Sequence, residues 1–169
     1  MPKTPSSLPV LTKPLVGQFN LFCEQQGLVG LVEVDLLCIK CSDNEIYEAR
    51  REDAFTVSDY MYESMVSDRR VSFFKMKEPI ATNVGAIAYI ELCDQKPDNS
   101  QDDRISHFTI VPLTISYEEV VAKLKQNGVD VIETIRPHYT SADSKLPSGF
   151  TIRLAKEFLV DKIKRDEMI

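Results

Sequence analysis

Ala88-Tyr-Ile-Glu-Leu-Cys-Asp94 and Phe150-Thr-Ile-Arg-Leu-Ala-Lys156 can be laid over one another residue for residue. Each reads as a β-strand. In the first, Glu91 shares a face with Tyr89 and Cys93, while Ile90 and Leu92 take the other. In the second, Arg153 falls where Glu91 falls. A charged group in mid-strand is costly to bury unless something pairs with it. Two equivalent strands with opposite charges at one position suggest a duplicated unit with a shared polar face.

Two more strands extend the pattern. They are Val32-Glu-Val-Asp-Leu-Leu-Cys-Ile-Lys-Cys41 and Ser106-His-Phe-Thr-Ile-Val111. Alternation places Leu37, Ile39, Ile90, Leu92, Phe108, Ile110, Ile152 and Leu154 on one side, under helices. The other side holds Leu36, Cys38, Lys40, Tyr89, Glu91, Cys93, His107, Thr109, Val111, Thr151, Arg153 and Ala155. That mostly polar face would line a cup if the sheet curls. Asp35 is expected on the helix side or in a turn.

The intervening segments fit a repeat. A stripe of Leu11, Leu15, Phe19, Phe22 and Cys23 predicts a first helix over 12–26, stopped by Gly27. Residues 1–10 read as a flexible arm. Ser42-Asp-Asn-Glu45 and Ser116-Tyr-Glu-Glu119 are both capping-box patterns. They predict a helix over 43–53, capped by Ser42, and a second carrying Tyr117, Val120, Val121 and Leu124 up to Gly128. Met61, Met65 and Val66 suggest a short helix over 58–66. A strand from Arg70 ends at Pro79, and Asn83-Val-Gly85 marks a turn. A strand over 129–136, a polar loop over 138–149 and a helical tail over 158–167 complete the chain. The expected fold is α+β: two tandem βαβββ modules, about 30–96 and 104–157, forming a curved open barrel behind an extra N-terminal helix. Residues 11–169 form a single domain in this reading.

Composition narrows the function classes. The 169 residues carry a net charge of −6 and are 43% apolar. Without basic tracts, nucleic acid is not an expected partner, and no apolar run is long enough for a membrane span. The N-terminal stretch has no apolar core of a signal peptide, so a cytoplasmic protein with reduced cysteines is expected. Cys38 and Cys41, three residues apart in a strand, should face opposite ways; packing is their first reading, and a redox or metal role is the alternative.

Val-Asp-Leu-Leu-Cys-Ile-Lys-Cys-Ser (34–42), Tyr-Ile-Glu-Leu-Cys-Asp-Gln-Lys-Pro-Asp (89–98), Ser-His-Phe-Thr-Ile-Val-Pro (106–112), Arg-Pro-His (136–138) and Gly-Phe-Thr-Ile-Arg-Leu (149–154) together resemble the YecM-type branch of the vicinal oxygen chelate superfamily. That superfamily includes glyoxalase I, ring-cleaving dioxygenases and bleomycin-resistance proteins. The resemblance implies metal ligands on the first and last strand of each module, here Leu36, Glu91, His107 and Arg153. Leu36 stands where the family pattern has histidine and cannot bind metal; Arg153 is a cation. Glu91 and His107 remain as ligand types for a divalent ion such as Zn, Ni, Mn or Fe. Arg153, Lys40, Tyr89 and the loop residue His138 are candidate ligand-binding residues for a small molecule in the cup. Three readings follow. One is a degenerate lyase, isomerase or dioxygenase-like enzyme. Another is a metal-free cup for a small anionic or polar ligand. The third is an inactive interaction protein with a Glu91–Arg153 pair in the cup. A homodimer is compatible with each.

Overall fold

Four strands pair as β1(Val32–Lys40), β4(Gly85–Cys93), β5(Arg104–Pro112) and β8(Thr151–Ala155), and they form the middle of one eight-stranded sheet. The computed structural model describes residues 8–137 and 139–167. β2(Ser58–Val66) and β3(Arg69–Thr82) extend the sheet on one side, β6(Val131–Ile135) and β7(Thr140–Lys145) on the other. The order is β2-β3-β4-β1-β5-β8-β7-β6. β1 runs parallel to β4 and β5 parallel to β8, while β1 and β5 pair antiparallel at the centre. The two halves are therefore the same βαβββ unit joined along one seam. The sheet does not close on itself, so its concave face stays accessible as a curved open barrel.

Three of the four helices, the first three in chain order, cover the other face, and the fourth lies on the cup side. The four are α1(Leu8–Gln25), α2(Asn44–Val57), α3(Tyr117–Gln126) and α4(Leu159–Glu167). Leu37, Ile39, Ile90, Leu92, Phe108, Ile110, Ile152 and Leu154 all join the main core, as their alternation predicts. Phe19 of α1 packs edge-on against Phe108, which packs edge-on against Phe150. Gly27 ends α1 with φ of 67°, a conformation that strains any residue with a Cβ. There the Leu28 N–H donates to the Cys23 carbonyl at 2.8 Å. None of the described helices is long and apolar enough to cross a membrane.

Several local expectations are corrected. α1 begins at Leu8 rather than 12, so only residues 1–7 of the expected arm lie outside the described chain. The cap of α2 is Asp43, whose carboxylate accepts from the Ile46 N–H at 2.8 Å. Ser42 instead donates through its backbone N–H and its hydroxyl to Asp103, each at 2.6 Å. Ser116 caps α3 as predicted, accepting from the Glu119 N–H at 3.1 Å.

Residues 58–66 are strand, not helix. Ser67 and Asp68 have φ of 53° and 61° and join β2 to β3 across the Val66–Arg69 pair. Two left-handed central residues match the twist of a tight hairpin, and this turn overrides the four-residue spacing of the methionines. β3 also runs past Pro79 to Thr82. A pairing irregularity between Lys75 and Ile80 accommodates a residue that cannot donate to the ladder. The polar segment after His138 holds β7, Thr-Ser-Ala-Asp-Ser-Lys, paired to both β6 and β8.

The linker between modules is pinned. Gln101 Nε2 donates to the carbonyls of Cys41, Cys93 and Asp94 at 2.7–3.2 Å. This ties the linker to the ends of β1 and β4, which both supply the cup.

Candidate functional site

Two rows of side chains form the floor of the concave face. In one, Glu91, Cys38, His107 and Thr151 lie opposite one another across β4, β1, β5 and β8. In the next, Tyr89, Leu36, Thr109 and Arg153 do the same, and Arg153 faces Asp143 of β7. The cup encloses about 560 Å³. Its rim comes from both modules: Val66, Ser67 and Arg69 at the β2–β3 turn, and Arg136, Pro137 and Tyr139 before β7. α4 closes one side, with Leu159 packed on Leu36, Cys38, Val71, Phe73 and Cys93. The Lys162 ammonium sits 4.7 Å from the Tyr139 ring centre. Burial pushes the Tyr139 phenol up to about 12, so its ring stays neutral under that ammonium.

Arg153 is the best-held charge in the cup. Its Nε and Nη2 donate to the two Asp143 oxygens at 2.8 and 3.0 Å. This corrects the expected Glu91–Arg153 pair: the guanidinium forks onto Asp143, a partner on a strand expected to be loop. Burial alone would lower the Arg153 pKa, but the Asp143 hydrogen bonds and charge lift it above the ordinary arginine value. Its third nitrogen, Nη1, lies 3.5 Å from His107 Nε2.

That contact fixes the state of His107. The ring is 1% exposed. Burial lowers its pKa well below the usual value, and the charges of Arg153, Lys40 and Arg104 lower it further. Facing a permanent cation, Nε2 must be the acceptor. The hydrogen then belongs on Nδ1, which is 3.2 Å from the Ser106 hydroxyl. Lys40, half-buried at the end of β1, has its pKa lowered by burial, with the Arg153 and Arg104 charges acting the same way. Thr109 is 4% exposed, lines the cup and has no hydrogen-bond partner for its hydroxyl among the described residues; Arg69 Nε is likewise unpartnered.

Glu91 keeps different company. Its Oε1 lies 3.8 Å from Cys38 Sγ and 3.5 Å from Cys93 Sγ, and the two sulfurs are 3.7 Å apart. The hydrogen bond with Cys93 and then burial raise the Cys38 thiol well above its usual pKa. Cys41 lies in the core on the opposite face, as its spacing from Cys38 predicts.

Asp35 is a correction. A register shift between Val34 and Leu36 makes it the extra residue of a bulge, and it lines the cup. Its Oδ2 accepts the Leu159 N–H at 2.7 Å and so holds the start of α4. Burial pushes its carboxyl up to about 6; the Leu159 bond lowers it, and Glu33, Asp161 and Glu91 add to the rise.

Of the residues singled out in the sequence, Glu91, His107, Lys40 and Arg153 line the cup together. Tyr89 is half-buried against the apolar cluster of Leu36, Cys38, Val71, Phe73, Cys93 and Leu159. His138 lies outside the described residues. Thr109, Asp143 and Cys93 were not singled out as site residues. The alternation that put Cys38, Cys93 and Thr109 on the cup face was the available signal.

A family model described as YecM protein matches residues 19–157. The chain belongs to the YecM family. Its fold is shared by solved structures of low sequence identity. The structural-genomics protein EC4020 superposes with a TM-score of 0.66 at 18% identity, covering 95% of this chain and 93% of its own. Methylmalonyl-CoA epimerase of Streptomyces coelicolor, a single-residue variant in complex with 2-nitronate-propionyl-CoA, gives 0.51 at 14% identity over 75% of this chain and 98% of its own. A glyoxalase/bleomycin resistance protein/dioxygenase superfamily member from Vibrio splendidus gives 0.47 at 11% identity over 75% and 99%. None of the curated proteins matches the sequence.

The four ligand positions that the sequence resemblance implies do not suit a divalent ion in this YecM-family chain. Leu36 offers no donor atom. Arg153 brings a fixed positive charge, and His107 Nε2 is turned toward it. Glu91 is left among thiols rather than beside an imidazole.

Proposed function

We propose that the cup is a receptor for a small anionic molecule, and that binding needs no ion at the superfamily's usual positions. One observation carries this reading. The chain as a whole is acidic, at −6, yet its cup is lined by Lys40, Arg69, Lys96, Arg136, Arg153 and Lys162 against the carboxylates Asp35, Glu91 and Glu157. Cations gathered in a low-dielectric concavity raise the local concentration of an anion even when the whole molecule repels it.

The floor supports a division of labour. Arg153, oriented by Asp143, presents Nη1 inward. Lys40 adds a second charge from the other module. The Thr109 hydroxyl, buried and unpartnered, donates to a ligand oxygen. His107 stays neutral and shapes the wall beside Arg153. A carboxylate or phosphoryl group suits these donors.

Calorimetric titration of chelator-treated protein with inorganic phosphate and with small dicarboxylates tests this. At least one should bind, with affinity falling as salt rises. Arg153→Met should weaken binding by about tenfold or more, the scale of a lost charged hydrogen bond. Absence of binding by every anion, or undiminished binding in both Arg153→Met and Lys40→Met, would refute the receptor reading.

A further inference from the structure

We infer that Cys38, Glu91 and Cys93 form a binding site for a thiophilic divalent cation of the zinc class, set in the floor of the cup. This site is displaced from the superfamily's ligand positions and shares only Glu91 with them. It does not depend on whether the cup takes an anion, because the donor separations alone support it.

Zinc takes sulfur at about 2.3 Å and carboxylate oxygen at about 2.0 Å in a tetrahedron. Those bond lengths place two sulfurs about 3.8 Å apart, and a sulfur and an oxygen about 3.5 Å apart. The sulfurs here are 3.7 Å apart, and Glu91 Oε1 lies 3.5 and 3.8 Å from them. Three donors thus already occupy one triangular face of such a tetrahedron. Parallel pairing of β1 and β4 creates it: Cys38 lies opposite Glu91, and Cys93 follows two residues along the same face.

The donors have no better use. Among the described residues, Glu91 Oε1 receives only the two weak thiol contacts. A carboxylate taken partly out of water with such partners is poorly compensated. Both cysteines are 1% exposed and lie on the cup side of the sheet, in the smaller apolar cluster with Leu36, Val71, Phe73 and Leu159 rather than in the main core. Two thiolates select zinc, or cobalt in its place, over magnesium and manganese. As the ion binds, each thiol gives its proton to solvent and each sulfur donates a lone pair. All three residues line the cup, so the fourth coordination position opens into it. Three protein ligands with an open fourth position is the arrangement of a reactive site rather than a closed structural one.

The test uses the full chain, stripped with a chelator under a non-thiol reductant and titrated with cobalt(II), then with zinc(II) in competition. The expected result is about one ion per chain, with an ultraviolet sulfur-to-cobalt charge-transfer band that zinc abolishes. Cys93→Ser and Cys38→Ser should lose the ion, and Cys41→Ser, on the opposite face, should keep it. Circular dichroism reports whether each variant folds. If a serine variant does not, the charge-transfer band of the wild type and of Cys41→Ser still decides. No bound ion in the folded, reduced wild type would overturn the inference. So would binding without the band, or binding that survives in folded Cys38→Ser and Cys93→Ser.

Discussion

Replacing Asp35 by asparagine should stabilise the protein at neutral and alkaline pH, and the gain should disappear on acidification. Asp35 is 3% exposed, and its carboxyl titrates at about 6 rather than 3.8. At 1.36 kcal/mol per pH unit, holding it ionised in the fold costs about 3 kcal/mol. Asparagine removes that charge and keeps an oxygen for the Leu159 N–H. Its new amide donors offset part of the gain where they find no acceptor, a term of about 1–3 kcal/mol. The expected net gain at pH 8 is up to about 2 kcal/mol. Because the folded pKa is raised, the wild type regains stability as pH falls from about 6 towards 4, where the folded form takes up a proton that the unfolded form does not yet bind. The advantage of the variant therefore shrinks across that window and is lost below it. Urea unfolding of both proteins, followed by circular dichroism at intervals from pH 4 to pH 8, measures the difference directly. His107 imposes an opposite pH slope on each protein and cancels in the comparison. A gain that stayed constant with pH, or grew on acidification, would refute the assignment of Asp35 as a burial-strained carboxylate.

The lowered pKa of His107 predicts that its ring resonances in NMR spectra do not shift as pH falls through the usual histidine value of about 6.5, since the imidazole stays neutral there. The unfolded chain takes up that proton near its usual value of about 6.5, so this group's contribution to stability falls as pH drops through that range. Ser116→Ala removes the hydroxyl that accepts the Glu119 N–H and should lower stability by about 1 kcal/mol by urea unfolding, with anion binding in the cup unaffected.

The alternating strands and the duplication were legible because each apolar face is continuous. Leu37, Ile90, Phe108 and Ile152 announce a buried side without reference to any partner. What escaped depends on partners distant in sequence. The β2–β3 turn uses Ser67 and Asp68 in left-handed conformations, with no glycine to signal it. β7 has almost no apolar alternation, since its role is to carry Asp143 to Arg153. The overlay of the two equivalent strands set Arg153 against Glu91, whereas its partner Asp143 comes from β7. Asp35 reached the cup through a bulge that only the pairing with β5 reveals. Cys38 and Cys93 were placed on the correct face, but their meeting requires the parallel register of β1 with β4, which neither strand contains alone.

The central seam gives the cup a mechanical property. The two modules join in the sheet along β1 and β5, and Lys40 and Arg153 belong to opposite sides of that line. A molecule held by both therefore acts as a strut across the hinge line of the duplication, resisting any shear of one half past the other. Occupancy should then appear as rigidity of the whole sheet, with slower amide exchange along β1 and β5, strands whose own backbones the ligand need not touch.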